Sequence, residues 1–280
     1  MSVFEGTPTK LMLSWEPTTS GQGQMKLHIL NKPDFLELAY RNTEKFLAQI
    51  DRPELFIVKQ FYPVRDILQL RQTCYERGLN TEPSWHPLYD DCPDYHRLHD
   101  NYPNAYVKSR MHAFYHHGWY ESNRALFDYF SEIFRLKNFL SGYPEDAHIC
   151  HKPSAGYIAR INLHHYPKGG GGQAEHIDPA GRFARIQTLI AASQIRTDYR
   201  RGGVYARKYS GDDACFLDEH TNPGDLMVLS PAIPHGVAPI DPELEYEWRT
   251  NDGRWIILPL FVASDYPNPE ADKPRELERA

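Results

Sequence analysis

The spacing of hydrophobic positions changes character about halfway along the chain. In residues 34–50, Phe35, Leu36, Leu38, Ala39, Phe46, Leu47 and Ile50 recur at helical intervals. The apolar run 55–61 predicts a short strand ended by Tyr62-Pro63, and 64–78 predicts a second amphipathic helix closed by Gly78. Residues 80–108 are rich in Pro, Tyr, Asp and His, show no period, and read as a long loop of the kind that serves as a lid. A third helix is expected over 122–140, with Leu126, Phe127, Phe130, Ile133, Phe134 and Leu140 on its buried side, Ser122 as its cap, and Gly142 and Pro144 as its stop.

After residue 150 the helical period disappears. Short apolar runs at 157–166, 183–193, 203–209, 225–230, 236–240 and 254–263 are punctuated by Gly, Pro, Asp and Asn. Strands at turn-marked intervals without intervening helices predict an antiparallel sandwich or barrel. The expected fold class is therefore α+β, mainly β. A mostly helical scaffold and lid (1–150) would precede a jelly-roll-like core (151–263) and a surface tail (264–280), all in one domain. The polar residues 1–25 are expected to form an edge strand or an arm.

Composition narrows the class. The 280-residue chain carries a net charge of −6, which argues against general nucleic-acid binding. No window reaches the ~18 apolar residues of a membrane span, and the first residues lack a signal-peptide pattern. The four cysteines, Cys74, Cys92, Cys150 and Cys215, have no CxxC spacing and read as free thiols. A cytoplasmic protein is expected.

The chemistry concentrates late in the chain. Of the 14 histidines only His176 has a carboxylate two positions on, in His176-Ile-Asp178. On a strand, such residues point to the same side. Alone, the pair reads equally well as a surface His beside a turn Asp, or as two-thirds of the 2-His-1-carboxylate facial triad that holds non-haem Fe(II). The stretch from Asn222 to Val237 adds a turn, a buried strand, a second turn and His235 at the head of the next strand, placed to complete the triad. Arg254 then opens an apolar strand, where a cation needs an anionic partner. A dicarboxylate cosubstrate would supply one.

Taken in order, Tyr166-Pro167, His176-Ile-Asp178, Gly202-Gly203, Pro223-Gly-Asp225, His235-Gly-Val and Gly253-Arg254 resemble the Fe(II)/2-oxoglutarate-dependent dioxygenases. The chain is most similar to the branch with prolyl-4-hydroxylase-like and plant flavonoid- or gibberellin-type oxygenases. The resemblance spans roughly 155–263 and implies a double-stranded β-helix core. It also implies Fe(II) on His176, Asp178 and His235, 2-oxoglutarate held by Arg254 and Tyr166, and oxidation of a substrate by O2 with release of succinate and CO2. The chain departs from that pattern in three places. An acidic insertion, 241–252, separates His235 from Arg254 and contains Arg249, a rival anchor. Ile256 stands where plant-type members carry Ser. His164, rather than Asn, lies two before Tyr166, so cosubstrate contacts are expected to be shared with Asn162 and Arg160 on the same strand face.

Other features carry less. The run Gly169 to Gly172 lacks the Lys-Ser/Thr of a phosphate loop and reads as a flexible hairpin. The basic stretch from Arg196 to Lys208 reads as a solvated loop, with Arg200 and Arg201 as contacts for an anionic substrate in the sharper reading. His96, His99 and Asp100 could pass for metal ligands but read as solvated or hydrogen-bonding groups of the loop, and His116-His117 has no third ligand at a recognisable spacing. A small-molecule substrate is expected; a peptidyl prolyl-type hydroxylase and a non-redox cupin-like binding protein are the alternatives.

Overall fold

The computed structural model describes residues 25–103, 105–153, 156–179 and 184–267. The predicted arm or edge strand therefore lies outside the described residues, apart from residue 25, as does the tail beyond 267. The chain runs β1 (Leu27–Asn31), α1 (Lys32–Arg41), α2 (Thr43–Asp51), β2 (Leu55–Lys59), α3 (Val64–Asn80), β3 (Tyr95–Asp100) and β4 (Ser109–His117). A 3₁₀ turn (Glu121–Asn123) leads into α4 (Arg124–Tyr129), α5 (Ser131–Leu140), β5 (Tyr157–Pro167), β6 (Gly171–His176), β7 (Gln187–Ala191), β8 (Gly203–Ala206) and β9 (Cys215–Phe216). A second 3₁₀ turn (Asp218–His220) precedes β10 (Leu226–Leu229), β11 (His235–Ile240) and β12 (Gly253–Ala263).

The helices are shorter than their hydrophobic periods. The first splits at Asn42, and the third is a 3₁₀ turn and two helices broken at Phe130, so Ser122 caps nothing. Gly78 does not end α3, which continues to Asn80. A Cβ at Gly78 would lie 3.0 Å from Phe114 Cζ, so the glycine lets a ring approach the helix rather than stopping it.

The first half is also less helical than expected. The supposed lid contains β3, which pairs antiparallel with β4, and β4 continues as a central strand between β5 and β6. The run Ser109 to His117 escapes a period-2 reading because it is buried on both faces, with His112 and His116 on one and Met111, Ala113 and Tyr115 on the other.

The strands follow the order β1-β2-β10-β7-β12-β5-β4-β6-β11-β8-β9, with β3 on β4. This curled sheet is the expected double-stranded β-helix. Its longest pairing joins β12 to β5 over the full length of both, from Gly253↔Pro167 to Ala263↔Tyr157. Alternation then sorts side chains between two cores. Tyr166, Ile256, Leu258, Leu189, Met227 and Val237 fill the inside of the curl. Leu163, Trp255, Ile257 and Val228 turn outward onto Phe35, Phe46, Ile67, Phe127 and Phe134 of the helices.

The four-glycine run is a packed turn rather than a flexible one. Gly169 has φ +84, and a Cβ there would fall 2.5 Å from the Tyr246 backbone, so the turn locks onto the 241–252 insertion.

The Pro223-Gly-Asp225 turn is held by its carboxylate. Asp225 is buried, accepts from Gln60 N at 2.7 Å and Asn222 N at 2.8 Å, and pairs with Lys59. Asp225→Ala should strand both amides and lower unfolding free energy by about 3–5 kcal/mol, from two charge-assisted bonds of ~1.5–3 kcal/mol each. Urea denaturation would measure this.

Candidate metal centre

β6 and β11 pair so that His176 stands opposite His235. The register shifts on either side of Val237, and such bulges re-aim side chains beside sites. The two imidazole centroids are 4.4 Å apart. Asp178 Oδ1 lies 3.5 Å from His176 Nε2, and Asp178 Oδ2 lies 3.4 Å from His235 Nε2. All three ligand atoms fall within 4.8 Å of one another, the one such cluster of potential metal ligands among the described residues. Three atoms sharing an octahedral face at ~2.1 Å from an ion stand about 3 Å apart. The triad is therefore close to closed around a cation.

Its protonation is prepared by the backbone. His176 Nδ1 donates to Ala174 O at 2.9 Å, and His235 Nδ1 donates to Ile233 O at 2.8 Å. Each ring is thus oriented with Nε2 toward the carboxylate, the usual outer-shell arrangement of a metal-binding imidazole. Asp178 is oriented by Gln187 Nε2 at 2.6 Å and by its own amide on Pro231 O at 2.9 Å. Burial opposes ionisation of Asp178, but the two imidazoles outweigh it and hold the carboxyl well below the usual range. The same carboxylate raises His176 against the effect of burial. These residues fit a divalent ion: two imidazole nitrogens and one carboxylate oxygen converge on one point.

The anchor expected at Arg254 is more constrained than the sequence suggests. Arg254 is 1% exposed and already paired: Nε to Asp218 Oδ2 at 2.6 Å and Nη2 to Asp218 Oδ1 at 3.2 Å. Tyr199 Oη and Val204 N also donate to Asp218. The need for an anion beside a buried guanidinium is thus met within the chain, by a residue that the 3₁₀ turn after β9 delivers. One group is left over, because Arg254 Nη1 is buried with no partner. Its guanidinium lies over the Tyr166 ring at 5.6 Å, and Tyr166 Oη donates to Gln173 Oε1 at 3.1 Å. The rival Arg249 is exposed and leans on Leu79 O at 3.4 Å. The orphaned Nη1 favours Arg254 over Arg249 as an acceptor-binding donor.

The inner face of β5 presents Arg160, Asn162, His164 and Tyr166 in alternation. Asn162 Oδ1 accepts from Arg160 Nε at 2.9 Å, and His164 Nε2 is buried without a partner. Burial, then the cations around it, drop His164 to about 3, so it is a neutral ring. Arg160 also lies over Tyr115 at 4.5 Å and has no carboxylate partner among the described residues. Sequence reasoning did not find Gln187, Asp218 or Lys137. Lys137 on α5 is buried, and burial lowers it to about 7 against the pull of Asp178. Its position in an amphipathic pattern gave no signal.

The remaining histidines are accounted for otherwise. His99 Nε2 is 3.3 Å from Tyr115 Oη. His117 Nδ1 donates to Asp94 Oδ1 at 3.2 Å while Cys92 Sγ sits 3.8 Å from its Nε2. That is the order of a thiol nucleophile, base and orienting carboxylate. Cys92 and His117 are both buried, however, and burial pushes the thiol up to about 11. A nucleophile needs an accessible thiolate. The chain of contacts is a structural tie. Arg200 and Arg201 use their backbone amides on Asp241, and Arg201 pairs at the surface with Glu243.

No family model matches the chain, and no curated protein matches its sequence. Solved structures do match. Neurospora crassa T7H, in complex with alpha-KG and thymine, aligns at a TM-score of 0.53 and 12% identity over 89% of this chain and 88% of that one. Its complex with alpha-KG and 5-formyluracil gives 0.52 and 12% over 90% and 88%. A prolyl hydroxylase from Trichoplax adhaerens, bound to a hypoxia inducible factor oxygen degradation domain peptide fragment, aligns at 0.47 and 16% over 83% and 94%. At 12% identity the likeness to T7H is one of fold alone, that of the curled sheet described above. Among the described residues no helix is long and apolar enough to cross a membrane.

Asp218→Ala should leave the Arg254 guanidinium buried and unpaired. A loss of about 3–5 kcal/mol in unfolding free energy is expected, measurable by denaturant titration. Tyr199→Phe should cost only about 1 kcal/mol, since it removes one of several donors to the same carboxylate.

Proposed function

We propose that the protein is an Fe(II)/2-oxoglutarate-dependent dioxygenase that oxidises a small molecule bearing an anionic group. The observation that carries this reading is the triad of His176, Asp178 and His235, with both Nε2 atoms turned toward one carboxylate and both Nδ1 atoms tied to the backbone. When bound there, iron with 2-oxoglutarate and O2 supplies the oxidising power and releases succinate and CO2. The protein's share is placement. Arg254 Nη1 offers a donor to the distal carboxylate of 2-oxoglutarate from the floor of the curl. Tyr166 stands opposite Arg254 on β5, and Asn162 lies further along the same face, opposite Leu258.

Strand register supports the anionic substrate. Thr188 Oγ1 donates to Pro259 O, and the register of the Ile190↔Ile257 pair, carried three residues on, would bring Gln187 level with Leu260. Leu260 is opposite Arg160. Arg160 therefore stands two strands, roughly 10 Å, from the residue that holds Asp178. It is a half-buried cation with no carboxylate partner among the described residues, on the inner face of β5. Arg160 replaces Arg200 and Arg201 as the contact we assign to the substrate's anion.

Three measurements test the reading. Anaerobic addition of Fe(II) and 2-oxoglutarate should produce the weak visible band of the chelate, and O2 should then convert 2-oxoglutarate to succinate; His176→Ala should abolish both. No band and no succinate from the wild-type protein would sink the proposal. Arg254→Lys keeps the charge facing Asp218 but loses the fork, and should raise the 2-oxoglutarate KM about 10–100-fold, the loss of one charge-assisted bond. Arg249→Ala should leave it unchanged, and the reverse order would move the anchor to the insertion. With the substrate in hand, Arg160→Ala should raise the substrate KM at least tenfold while succinate formation uncoupled from substrate persists.

A further inference from the structure

The sheet face that carries Arg160 continues past β5 onto β4 and β3. On β3, Tyr95 stands opposite Tyr115, Arg97 opposite Ala113 and His99 opposite Met111. On β5, Asn162 stands opposite Tyr115 and Arg160 opposite His117. Directly opposed residues share a face, and Tyr95, Met111, Ala113 and Tyr115 belong to the inside of the curl. Arg97 is therefore an inward residue, as Arg160 is. Arg97 faces the position two before Tyr115, and Arg160 faces the position two after it. Such diagonal neighbours are about 7–8 Å apart, within reach of a long side chain. Tyr115 thus has an arginine on either side.

Both arginines are half-buried, and neither has a carboxylate partner among the described residues. Arg160 lies over the Tyr115 ring at 4.5 Å and donates from Nε to Asn162 Oδ1 at 2.9 Å, which leaves its outer fork unused. Arg97 lies over the Tyr102 ring at 5.7 Å. Burial pushes Tyr95 up to about 12 and raises Tyr115, and at both rings the cations acting against it are Arg160 and Arg97. His99, 3.3 Å from Tyr115 Oη, is dropped by burial to about 4 with Arg97 adding to the effect, so it brings no charge of its own. The same face leads to the triad. Tyr106, on the β3–β4 connection that also carries Tyr102, donates to Ile177 O at 3.2 Å, between His176 and Asp178.

A carboxylate has two oxygens, and one guanidinium fork saturates them. Two forks meeting at one ring call for a further acceptor and a second negative charge. A phosphate monoester has both, with three acceptor oxygens and a charge of about −1.5 to −2 at pH 7. Guanidinium is also the more weakly hydrated of the two basic side-chain cations, which suits a half-buried anion site. We propose that Arg97 and Arg160 together bind the phosphate of a phosphorylated small-molecule substrate, with the Tyr115 ring as the floor between them. Arg97 is the specificity-determining residue of the pair, because Arg160 alone would serve a carboxylate equally well. The assignment rests on the oxygenase reading for what becomes of the ligand, whereas its binding is tested apart from that reading.

The probes are phenyl phosphate and benzoate, which share a ring and differ in the anion. Each would be titrated calorimetrically into the full-length protein under anaerobic conditions, with and without Fe(II) and 2-oxoglutarate. Phenyl phosphate should bind at least tenfold more tightly than benzoate, and as tightly with 2-oxoglutarate present as without it. Arg97→Ala and Arg160→Ala should each weaken phenyl phosphate about 10–100-fold, the loss of charge-assisted bonds. Arg97→Ala should weaken benzoate far less, so that the preference between the probes collapses. Arg97→Lys keeps the charge without the fork and should also narrow that preference, which covers an alanine variant that does not fold. Arg65→Ala, which removes an exposed arginine on α3, should change neither affinity. No binding of phenyl phosphate, equal binding of the two probes, a preference that survives both Arg97 variants, or loss of binding when 2-oxoglutarate is added would each overturn the proposal. Phenyl phosphate binding without the visible chelate band would remove the oxygenase reading and keep the anion site. The band without phenyl phosphate binding would do the reverse.

Discussion

The metal centre depends on one cross-strand pairing, His176 opposite His235. A strand alternates its faces with a period of two, so a slip of one residue on either strand would send one imidazole out of the curl. The irregular steps around Val237 show that the pairing is not an ideal ladder continued to its end. It is a local register in which the backbone carbonyls of Ala174 and Ile233, each two residues before its histidine, are free to accept Nδ1–H. Position and tautomer therefore come from the same few residues. Asp178 follows because its amide is pinned to Pro231 on the approach to β11 and its carboxylate to Gln187 on β7. Three strands thus hold three ligands.

Charge inside the curl is arranged in two layers. At the floor, Arg254 and Asp218 neutralise each other, and Tyr199 and the Val204 amide complete the carboxylate's partners. Such a pair tolerates burial because its hydrogen bonds are nearly complete. What remains for a ligand is a single directional donor rather than a bare positive charge. Nearer the triad the balance differs. Among the described residues Arg160 is tied to the Asn162 amide and the Tyr115 ring, and a guanidinium so placed keeps its attraction for an anion. One arginine is therefore suited to geometry and the other to charge.

The second half of the fold was legible because its strands are short, apolar and bounded by turn residues. Runs at 157–166 and 254–263 became β5 and β12 with ends within a residue or so. The triad was legible from the His-x-Asp spacing although Asp178 lies two residues past the end of β6, where its amide bond to Pro231 O rather than strand alternation turns it toward the histidines. What escaped reading shares a cause, which is dependence on a distant partner. β4 is buried on both faces, so it lacks the alternation that marks a half-buried strand. Asp218 looks like one more acid in a turn until the fold brings it 2.6 Å from Arg254 Nε, thirty-six positions later. The helix breaks at Asn42 and Phe130 are likewise tertiary, since the apolar period runs through both.

The insertion 241–252 resolves differently once its contacts are known. Read as sequence, it is an acidic interruption with a spare arginine. In the fold, Trp248 O and Asp252 O accept from His112 and His165, and the Tyr246 backbone packs on Gly169. It therefore braces the outer face of the strands whose inner face carries the site. Alternation makes the two faces interdependent: His165 and Trp255 point outward, Tyr166 and Arg254 inward, and they occupy adjacent positions on paired strands. Loosening the outer rings would shift the same peptide units that aim Tyr166 and Arg254. The extra segment is thus part of what holds the Tyr166–Arg254 side of the curl in register, although none of its residues belongs to the triad.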